Sequence, residues 1–189
     1  MIYDVVVIGG GPSGATAANE LASLNRKVAF IDKEGRIKPC GGAVPPRLIK
    51  DFDIPESQIV AKITTARMIS PTARKVDIPI ENGYVGMVDR ENFDEFLRTR
   101  AKAAGAHRFT GTFLRVLRKS GENFVAVVFK EKNSLKEITL KTKLIIGADG
   151  ARSNVARAEV PGGKTIPYVI AYHEIIEAPK NSQYDPDRC

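Results

Sequence analysis

Three glycines and one acidic residue near the start of the chain have the types and spacing needed to bind a dinucleotide. Gly9, Gly11 and Gly14 follow a run of β-branched residues, and Asp32 follows the next apolar run. Gly9 would allow a tight turn, Gly11 would let the backbone approach a pyrophosphate, and Gly14 would let a helix pack closely on a strand. The N–H groups at the start of that helix attract phosphate. This pattern therefore predicts a nucleotide-binding turn.

Asp32 narrows the choice of nucleotide. Its carboxylate would accept hydrogen bonds from the hydroxyls of a ribose and would repel a 2′-phosphate, so the nucleotide held there is predicted to be FAD or NAD rather than NADP. A second candidate segment, GADGARSNVAR, begins at residue 147 after an apolar strand at Leu144–Ile146. Asp149 at this bend could reach a cofactor hydroxyl or fix a neighbouring loop, and Ser153 is predicted to cap a short helix.

A single cysteine lies in an unusual loop between these two segments. In IKPCGGAVPPR, residues 37–47, Cys40 stands between a proline and two glycines. The glycines free the backbone beside the sulfur, and the prolines stiffen the approach and the exit. On its own this thiol is compatible with a functional role or with a small residue that fills a gap in the core.

The elements that must position these residues are predicted to form an α/β framework with an antiparallel insertion. Val5–Ile8 and Lys27–Ile31 are predicted as buried strands, and Arg90–Ala104 as a helix with Asp89 as its N-cap. The cation of Arg90 is unfavourable in a first helical turn, so we expect an anionic partner for it. Short strands are predicted at Lys62–Ser70, Lys75–Ile80, Phe109–Leu117, Phe124–Lys130 and Glu137–Leu140.

Composition limits the classes of function. The chain has 189 residues and a net charge of +7, but its basic residues are dispersed, so no nucleic-acid partner is expected. Its two cysteines, Cys40 and Cys189, form no metal-ligand or CxxC pattern, which favours a reducing compartment and no metal site. We expect no signal peptide and no membrane span, and therefore a cytoplasmic protein or one bound peripherally to a membrane.

Five segments together resemble the FAD-dependent geranylgeranyl reductases, and above all the (bacterio)chlorophyll branch of that family. They are GxGxxG from residue 9, CGG at 40, MISP at 68, GMVDRENFDEFL at 86 and GADGARSNVAR at 147. The resemblance implies a Rossmann-like FAD-binding domain of the p-hydroxybenzoate-hydroxylase type over residues 1–160, with inserted β segments at about 62–88 and 107–140. Residues 161–189 would begin a substrate-binding domain, whose first strand is predicted at Ile166–Ile176.

The resemblance also implies roles for particular residues. Arg90 matches the arginine of the family's R-x-x-F-D-x-x-L segment, which lies against the cofactor, and Cys40 would lie beside the isoalloxazine ring. Reduction of an isolated C=C bond needs hydride on one carbon and a proton on the other, and Cys40 is the implied catalytic residue that supplies or orients the proton. NADPH is the implied electron donor. The implied cofactor-binding residues are Gly9, Gly11, Gly14, Asp32, Lys33, Cys40, Gly41, Gly42, Arg90, Asp149 and Gly150.

The predicted function is reduction of a geranylgeranyl group to phytyl in (bacterio)chlorophyll biosynthesis, on the pigment ester or on the free diphosphate. Two other interpretations stay open. The same fold serves FAD-dependent monooxygenases and halogenases, and a fragment could bind nucleotide without catalysing a reaction. After GADGARSNVAR the family's second flavin-contacting Gly-Asp segment and its aromatic, proline-containing motif are missing, so we expect a partial sequence and an incomplete substrate domain.

Overall fold

The structure is a computed structural model that describes residues 1–34, 40–172, 174, 177, 185 and 187–189. Its strands are β1 (Ile2–Ile8), β2 (Val28–Asp32), β3 (Ala43–Val44), β4 (Ala61–Ile63), β5 (Thr65–Ile69), β6 (Lys75–Pro79), β7 (Val85–Met87), β8 (His107–Leu117), β9 (Val125–Glu131) and β10 (Glu137–Gly147). Its α-helices are α1 (Pro12–Ser23), α2 (Pro46–Asp51), α3 (Arg90–Ala103) and α4 (Asn154–Glu159). Glu56–Gln58 form a 3-10 turn.

The chain divides into two compact units, which are described separately below. The first contains Met1–Arg36 and Asp94–Ile170, and the second contains Ile37–Phe93 and Ala171–Cys189. The predicted division at residue 160, with a substrate domain after it, stays a prediction. Among the described residues, no helix combines the length and the apolar character needed to cross a membrane.

A parallel sheet in the order β10-β1-β2-β8 forms the centre of the first unit. Side chains of β1 alternate between its two faces, so Val6 and Ile8 pack in one core and Val5 and Val7 in the other. Ala18 of α1 lies in the second core with Val5 and Val7. Because both faces of β1 are covered, its continuous β-branched run is what the sheet requires. The predicted α/β fold with a parallel sheet is confirmed.

The strands β8 and β10 each belong to the parallel sheet at one end and to an antiparallel ribbon at the other. β8 pairs with β2 through residues 107–110 and with β9 through 111–117. β10 pairs with β9 through 137–142 and with β1 through 141–147, so the pairings close a ring β1-β10-β9-β8-β2. The parallel sheet and the predicted insertion therefore share these two strands.

The prediction of separate strands at Glu137–Leu140 and Leu144–Ile146 was wrong, because β10 is continuous. The polar residues between them keep the alternation of a strand: Thr142 is fully buried, whereas Lys141 and Lys143 are exposed. The hydroxyl of Thr142 donates to the carbonyl oxygen of Leu144 over 2.8 Å, so this buried polar group has a hydrogen-bond partner. The buried threonine between two exposed lysines was not recognised as part of a strand.

The second unit contains a small antiparallel sheet in the order β3-β7-β4 and the hairpin β5-β6. The predicted single strand Lys62–Ser70 was wrong, since β4 and β5 belong to different sheets. The break falls at Thr64, whose N–H donates to the carbonyl oxygen of Asp187 and whose carbonyl accepts from the N–H of Ile80, both at 2.8 Å. The predicted strand Lys75–Ile80 corresponds to β6.

Two helix starts follow their predicted signals. The Asp89 carboxylate accepts a hydrogen bond from the N–H of Glu91 over 3.0 Å, which caps α3. Ser153 accepts from the N–H of Ala156 over 2.8 Å and caps α4. The helix α2 was not predicted, although Pro46 at its first position is a recognised start signal.

The predicted strand at Ile166–Ile176 is not supported. Residues 166–172 lie in no strand, and residues 173, 175 and 176 lie outside the described part of the chain. An apolar run between turns cannot by itself distinguish a strand from extended coil, because a strand also needs a partner for its backbone groups.

Candidate nucleotide-binding site

The glycine turn and the later acidic bend meet at the carboxyl edge of the parallel sheet. The N–H of Gly9 donates to the carbonyl oxygen of Ile31 over 2.8 Å, and the N–H of Ala148 donates to that of Ile8 over 2.7 Å. A Cβ on Gly9 would lie 2.2 Å from the carbonyl oxygen of Ala148, and the φ of Gly9 is +111°. Only glycine fits this position, and the carboxyl edge of such a sheet is where nucleotides bind.

The two other glycines of the fingerprint have different surroundings. A Cβ on Gly14 would lie 1.9 Å from the carbonyl oxygen of Gly9, so α1 packs directly on the turn. A Cβ on Gly11 would meet no atom within 4 Å. The turn is therefore closed on its inner side at Gly14 and open on its outer side at Gly11, as the predicted approach of a pyrophosphate requires.

The start of α1 is suited to a bound anion. Gly11 is its N-cap, no side chain caps it, Pro12 occupies the first turn, and that turn contains no acidic residue. The helix N-terminus thus keeps its partial positive charge and N–H groups available beside the open face of Gly11. This geometry fits the diphosphate of a dinucleotide.

Asp32 is buried at the end of β2, with 3% of its surface exposed. Its Oδ1 accepts a hydrogen bond from the N–H of Glu34 over 2.7 Å, and its Oδ2 accepts one from Nε of Arg108 over 2.9 Å. Gly10 packs against it, since a Cβ on Gly10 would lie 2.3 Å from Cβ of Asp32. The neighbouring Lys33 is exposed. The carboxylate is thus fixed in place beside the glycine turn.

Two arginines and Glu95 surround this carboxylate in one connected network. Arg108 makes a bidentate ion pair with Glu95, at 2.5 Å from Nη1 to Oε1 and 2.9 Å from Nη2 to Oε2. Arg98 donates from Nη1 to Oε2 of Glu95 over 3.1 Å, and its Nε lies 3.9 Å from Oδ2 of Asp32. The hydrogen bonds from Arg108 hold the pKa of Glu95 below its ordinary value, and Glu95 in turn raises the pKa of Arg108.

Asp149 fixes the start of α4, which is one of the two roles left open by the sequence. Its Oδ1 accepts from the hydroxyl of Ser153, and its Oδ2 accepts from the N–H groups of Asn154 at 2.7 Å and Val155 at 3.2 Å. Gly150 has a φ of +88°, so it turns the chain in a conformation that favours glycine. Contact of Asp149 or Gly150 with a cofactor stays a prediction.

The remaining predicted site residues lie in the second unit. Cys40 is exposed, and residues 37–39 of its loop lie outside the described part of the chain. Gly42 is buried with a φ of +76°, its carbonyl accepts from the N–H of Val88 over 2.9 Å, and a Cβ there would lie 2.1 Å from the oxygen of Val88. A Cβ on Gly41 would meet nothing within 4 Å, and Arg90 begins α3. Their roles towards a cofactor stay predictions.

Comparison with known proteins identifies the family. The family described as FAD dependent oxidoreductase matches residues 4–162. The chain belongs to this family. The matched residues include the glycine turn and the acid at the end of β2.

Individual relatives narrow the likeness within the FAD dependent oxidoreductases. A geranylgeranyl diphosphate reductase of Rhodobacter capsulatus is 61% identical over 190 residues, which cover 100% of this chain and 48% of that protein. A solved geranylgeranyl bacteriochlorophyll reductase-like structure from Thermoplasma acidophilum has a TM-score of 0.74 at 25% identity and covers 99% of this chain and 49% of that one. The resemblance to geranylgeranyl reductases is confirmed, and the chain spans about half the length of these relatives.

The fold alone is shared more widely. The flavin-dependent brominase Bmp2 has a TM-score of 0.70 at 23% identity and covers 85% of this chain and 41% of that one. A likeness at this identity concerns the arrangement of helices and strands, because one fold hosts several chemistries. The parallel sheet and the glycine turn therefore do not separate a reductase from a halogenase.

Sequence reasoning missed four members of the site: Gly10, Glu95, Arg98 and Arg108. A signal for one of them was present. Arg98 lies next to Leu97 and three residues before Ala101, on the side of α3 that is buried. A charged side chain among core positions of a helix is uncommon and indicates a buried partner.

Proposed function

We propose that this chain forms the FAD-binding part of a reductase that converts geranylgeranyl groups to phytyl groups. The observation that carries the proposal is the 61% identity along the whole chain with a geranylgeranyl diphosphate reductase. The site described above supports it, because the open face at Gly11, the uncapped start of α1 and the buried Asp32 suit an adenine dinucleotide.

In this proposal the two sides of the site hold different parts of FAD. The turn at Gly9–Gly14 binds the pyrophosphate through backbone N–H groups, and Asp32 with Lys33 binds the adenosine ribose. Asp149 and Gly150 follow β10 at the same edge of the sheet, and they are proposed to bind FAD there. Arg90 and Cys40–Gly42 are proposed to bind FAD on the resemblance to the family alone. The reduced form of FAD, when bound, would supply hydride to one carbon of the substrate double bond.

The chain must then provide a proton for the other carbon. Each double bond takes up one hydride and one proton while one NADPH is oxidised to NADP⁺, so the electrons balance without oxygen. An isolated alkene has no carbonyl that could be polarised, so a proton donor must lie at the second carbon. We assign this role to the thiol of Cys40. The thiolate would take up a proton from solvent after each catalytic cycle. Its exposure in the second unit permits that exchange.

Substitution of Cys40 tests this assignment. We expect Cys40→Ala to lower the turnover of prenyl reduction by roughly a hundred-fold, which is the usual contribution of a positioned general acid. FAD affinity should fall far less than turnover, because the proposed contacts of Gly9–Gly14 and Asp32 with the nucleotide are kept. Cys40→Ser, which keeps a donor of higher pKa, should retain an intermediate rate. Full turnover in both variants would remove Cys40 from the mechanism.

The proposed partners follow from the substrate. A geranylgeranyl chain is long and apolar, so the enzyme would meet it at a membrane surface or on a membrane-bound pigment, and we propose peripheral contact with a photosynthetic membrane. The substrate is a geranylgeranyl ester of (bacterio)chlorophyll or the free diphosphate, and NADPH is the electron donor. The reaction would thus belong to (bacterio)chlorophyll biosynthesis.

Mass spectrometry of prenyl products tests the proposal. The full-length protein would be incubated with FAD, NADPH and either chlorophyllide geranylgeranyl ester or geranylgeranyl diphosphate, in parallel reactions with and without oxygen. We expect saturated products in steps of two hydrogens and an equal consumption of NADPH. Oxygen uptake with a hydroxylated or halogenated product would support the monooxygenase or halogenase interpretation instead. A chain that binds FAD but consumes no NADPH would be a nucleotide-binding module.

A further inference from the structure

Arg98 is a buried cation to which the proposed function assigns no role. Only 10% of its side chain is exposed, and its Nε donates to the carbonyl oxygen of Gly10 over 2.8 Å. Glu95 holds the other side of the guanidinium through Nη1 at 3.1 Å. A buried guanidinium is costly unless it is paired and hydrogen-bonded, and here it is both. Among these contacts its one backbone acceptor is the carbonyl oxygen of Gly10, the residue before Gly11.

The hydrogen bond to Gly10 determines how the Gly10–Gly11 peptide is oriented. The peptides of the described residues are trans, and a trans peptide is planar, so its carbonyl and the following N–H point in opposite directions. With the Gly10 oxygen held towards Arg98, the N–H of Gly11 points away from Arg98. If the peptide were reversed, the Gly10 oxygen would present its partial negative charge where the N–H now points.

Other neighbours also hold the Gly10–Gly11 peptide in place. Gly10 lies against Asp32, where a Cβ would come within 2.3 Å of the Cβ of Asp32, so nothing larger than glycine allows this arrangement. Asp32 is fixed by Arg108, and Arg108 and Arg98 share Glu95. The ribose-binding carboxylate and the phosphate-binding peptide are therefore connected through one network of charged groups.

We propose that Arg98 is a positioning residue for the pyrophosphate of FAD. By holding the Gly10 carbonyl, it presents the N–H of Gly11 to a phosphate oxygen and keeps a repelling carbonyl away from it. The inference rests on the FAD site of the proposed function. Arg98 touches no part of the cofactor in this arrangement, and it acts through the backbone of the turn.

Arg98→Met tests the proposal, because methionine keeps the apolar stem and removes the donors. Affinity for FAD, measured by quenching of flavin fluorescence, should fall roughly ten- to hundred-fold, the effect of one lost hydrogen bond from a charged group. Arg98→Lys should recover part of this affinity, since an ammonium can still donate to Gly10. Lys102→Met removes an exposed cation from the same helix and should bind FAD like the parent chain.

A second measurement separates positioning from general damage to the fold. ADP and adenosine share the base and the ribose, but only ADP carries the pyrophosphate. Arg98→Met should lower the affinity for ADP and leave that for adenosine unchanged, whereas a damaged fold would lower both. Equal losses for the two ligands, or parental affinity for FAD, would overturn the proposal.

The proposal can also be decided without any ligand. In ¹⁵N spectra of the ligand-free chain, the amide resonance of Gly11 should shift in Arg98→Met and stay in place in Lys102→Met. An unshifted Gly11 amide would show that Arg98 does not hold this peptide. Failure of the parent chain to bind FAD or ADP would instead contradict the cofactor of the proposed function, and the Gly11 amide would still report on Arg98.

Discussion

Gly14→Ala is expected to destabilise the ligand-free chain by about 3 kcal/mol, the upper end of the usual cost of overpacking. The added methyl group would lie 1.9 Å from the carbonyl oxygen of Gly9, and that oxygen belongs to backbone that its neighbours fix. Relief requires α1 to move away from the turn, which would disrupt its contacts with β1 and β2. Urea unfolding followed by circular dichroism measures the loss.

Gly11→Ala provides the matched control, because the same methyl group is added three residues earlier. Its backbone has a φ of −73° and no atom lies within 4 Å of the new Cβ, so the ligand-free chain should keep its stability to within about 1 kcal/mol. FAD affinity should fall roughly ten- to hundred-fold, since the methyl group occupies the approach of the phosphates. A Gly14→Ala chain as stable as Gly11→Ala would contradict the close packing of α1 on the turn.

Asp32→Asn is expected to lower the free energy of unfolding by about 3 kcal/mol, as is typical when one partner of a buried ion pair loses its charge. The amide keeps the shape of the side chain and its oxygen can still accept from the N–H of Glu34. Its NH2 group would then face Nε of Arg108 and cannot accept from it, so the charge and one hydrogen bond are lost together. Arg108 and Arg98 would then share Glu95 as their anionic partner among these contacts. FAD affinity should fall as well, because an amide oxygen accepts more weakly from ribose hydroxyls than a carboxylate does.

Glu137→Gln is the control for Asp32→Asn. It removes the charge from an ion pair with Arg115 that joins β8 to β10, but both side chains are about half exposed. Exposed pairs contribute little because water and salt screen them, so this variant should unfold close to the parent chain. An Asp32→Asn chain that unfolds at the same urea concentration as Glu137→Gln would contradict the structural role assigned to the network.

Contacts between residues close together in the sequence could be predicted, whereas contacts between distant residues could not. The turn at Gly9–Gly14 and the acid at Asp32 lie within one strand–helix–strand unit, so spacing alone predicted their arrangement. The capping of α3 by Asp89 and of α4 by Ser153 is equally local. These local signals were sufficient for the α/β fold and for the nucleotide-binding turn.

The parts that could not be predicted depend on distant residues. Arg108 reaches Asp32 across 76 positions and Arg98 reaches Gly10 across 88, and no local pattern encodes such contacts. The break at Thr64 likewise reflects hydrogen bonds with Asp187 and Ile80. The continuity of β10 was missed for another reason: the polar residues 141–143 lie between two apolar segments, and their alternation of exposed and buried side chains was not recognised as that of a strand.

The pairing of β1 with β10 has a consequence for biosynthesis. Ile2 lies opposite Lys141, whereas the pairing of β1 with β2 joins Val5 to Val28, so one side of β1 finds its partner early and the other only after most of the chain exists. At about 5–20 residues per second, a ribosome needs on the order of ten seconds to produce the intervening segment. During that interval one edge of this apolar strand stays unpaired, and we expect chaperones to bind the nascent chain there.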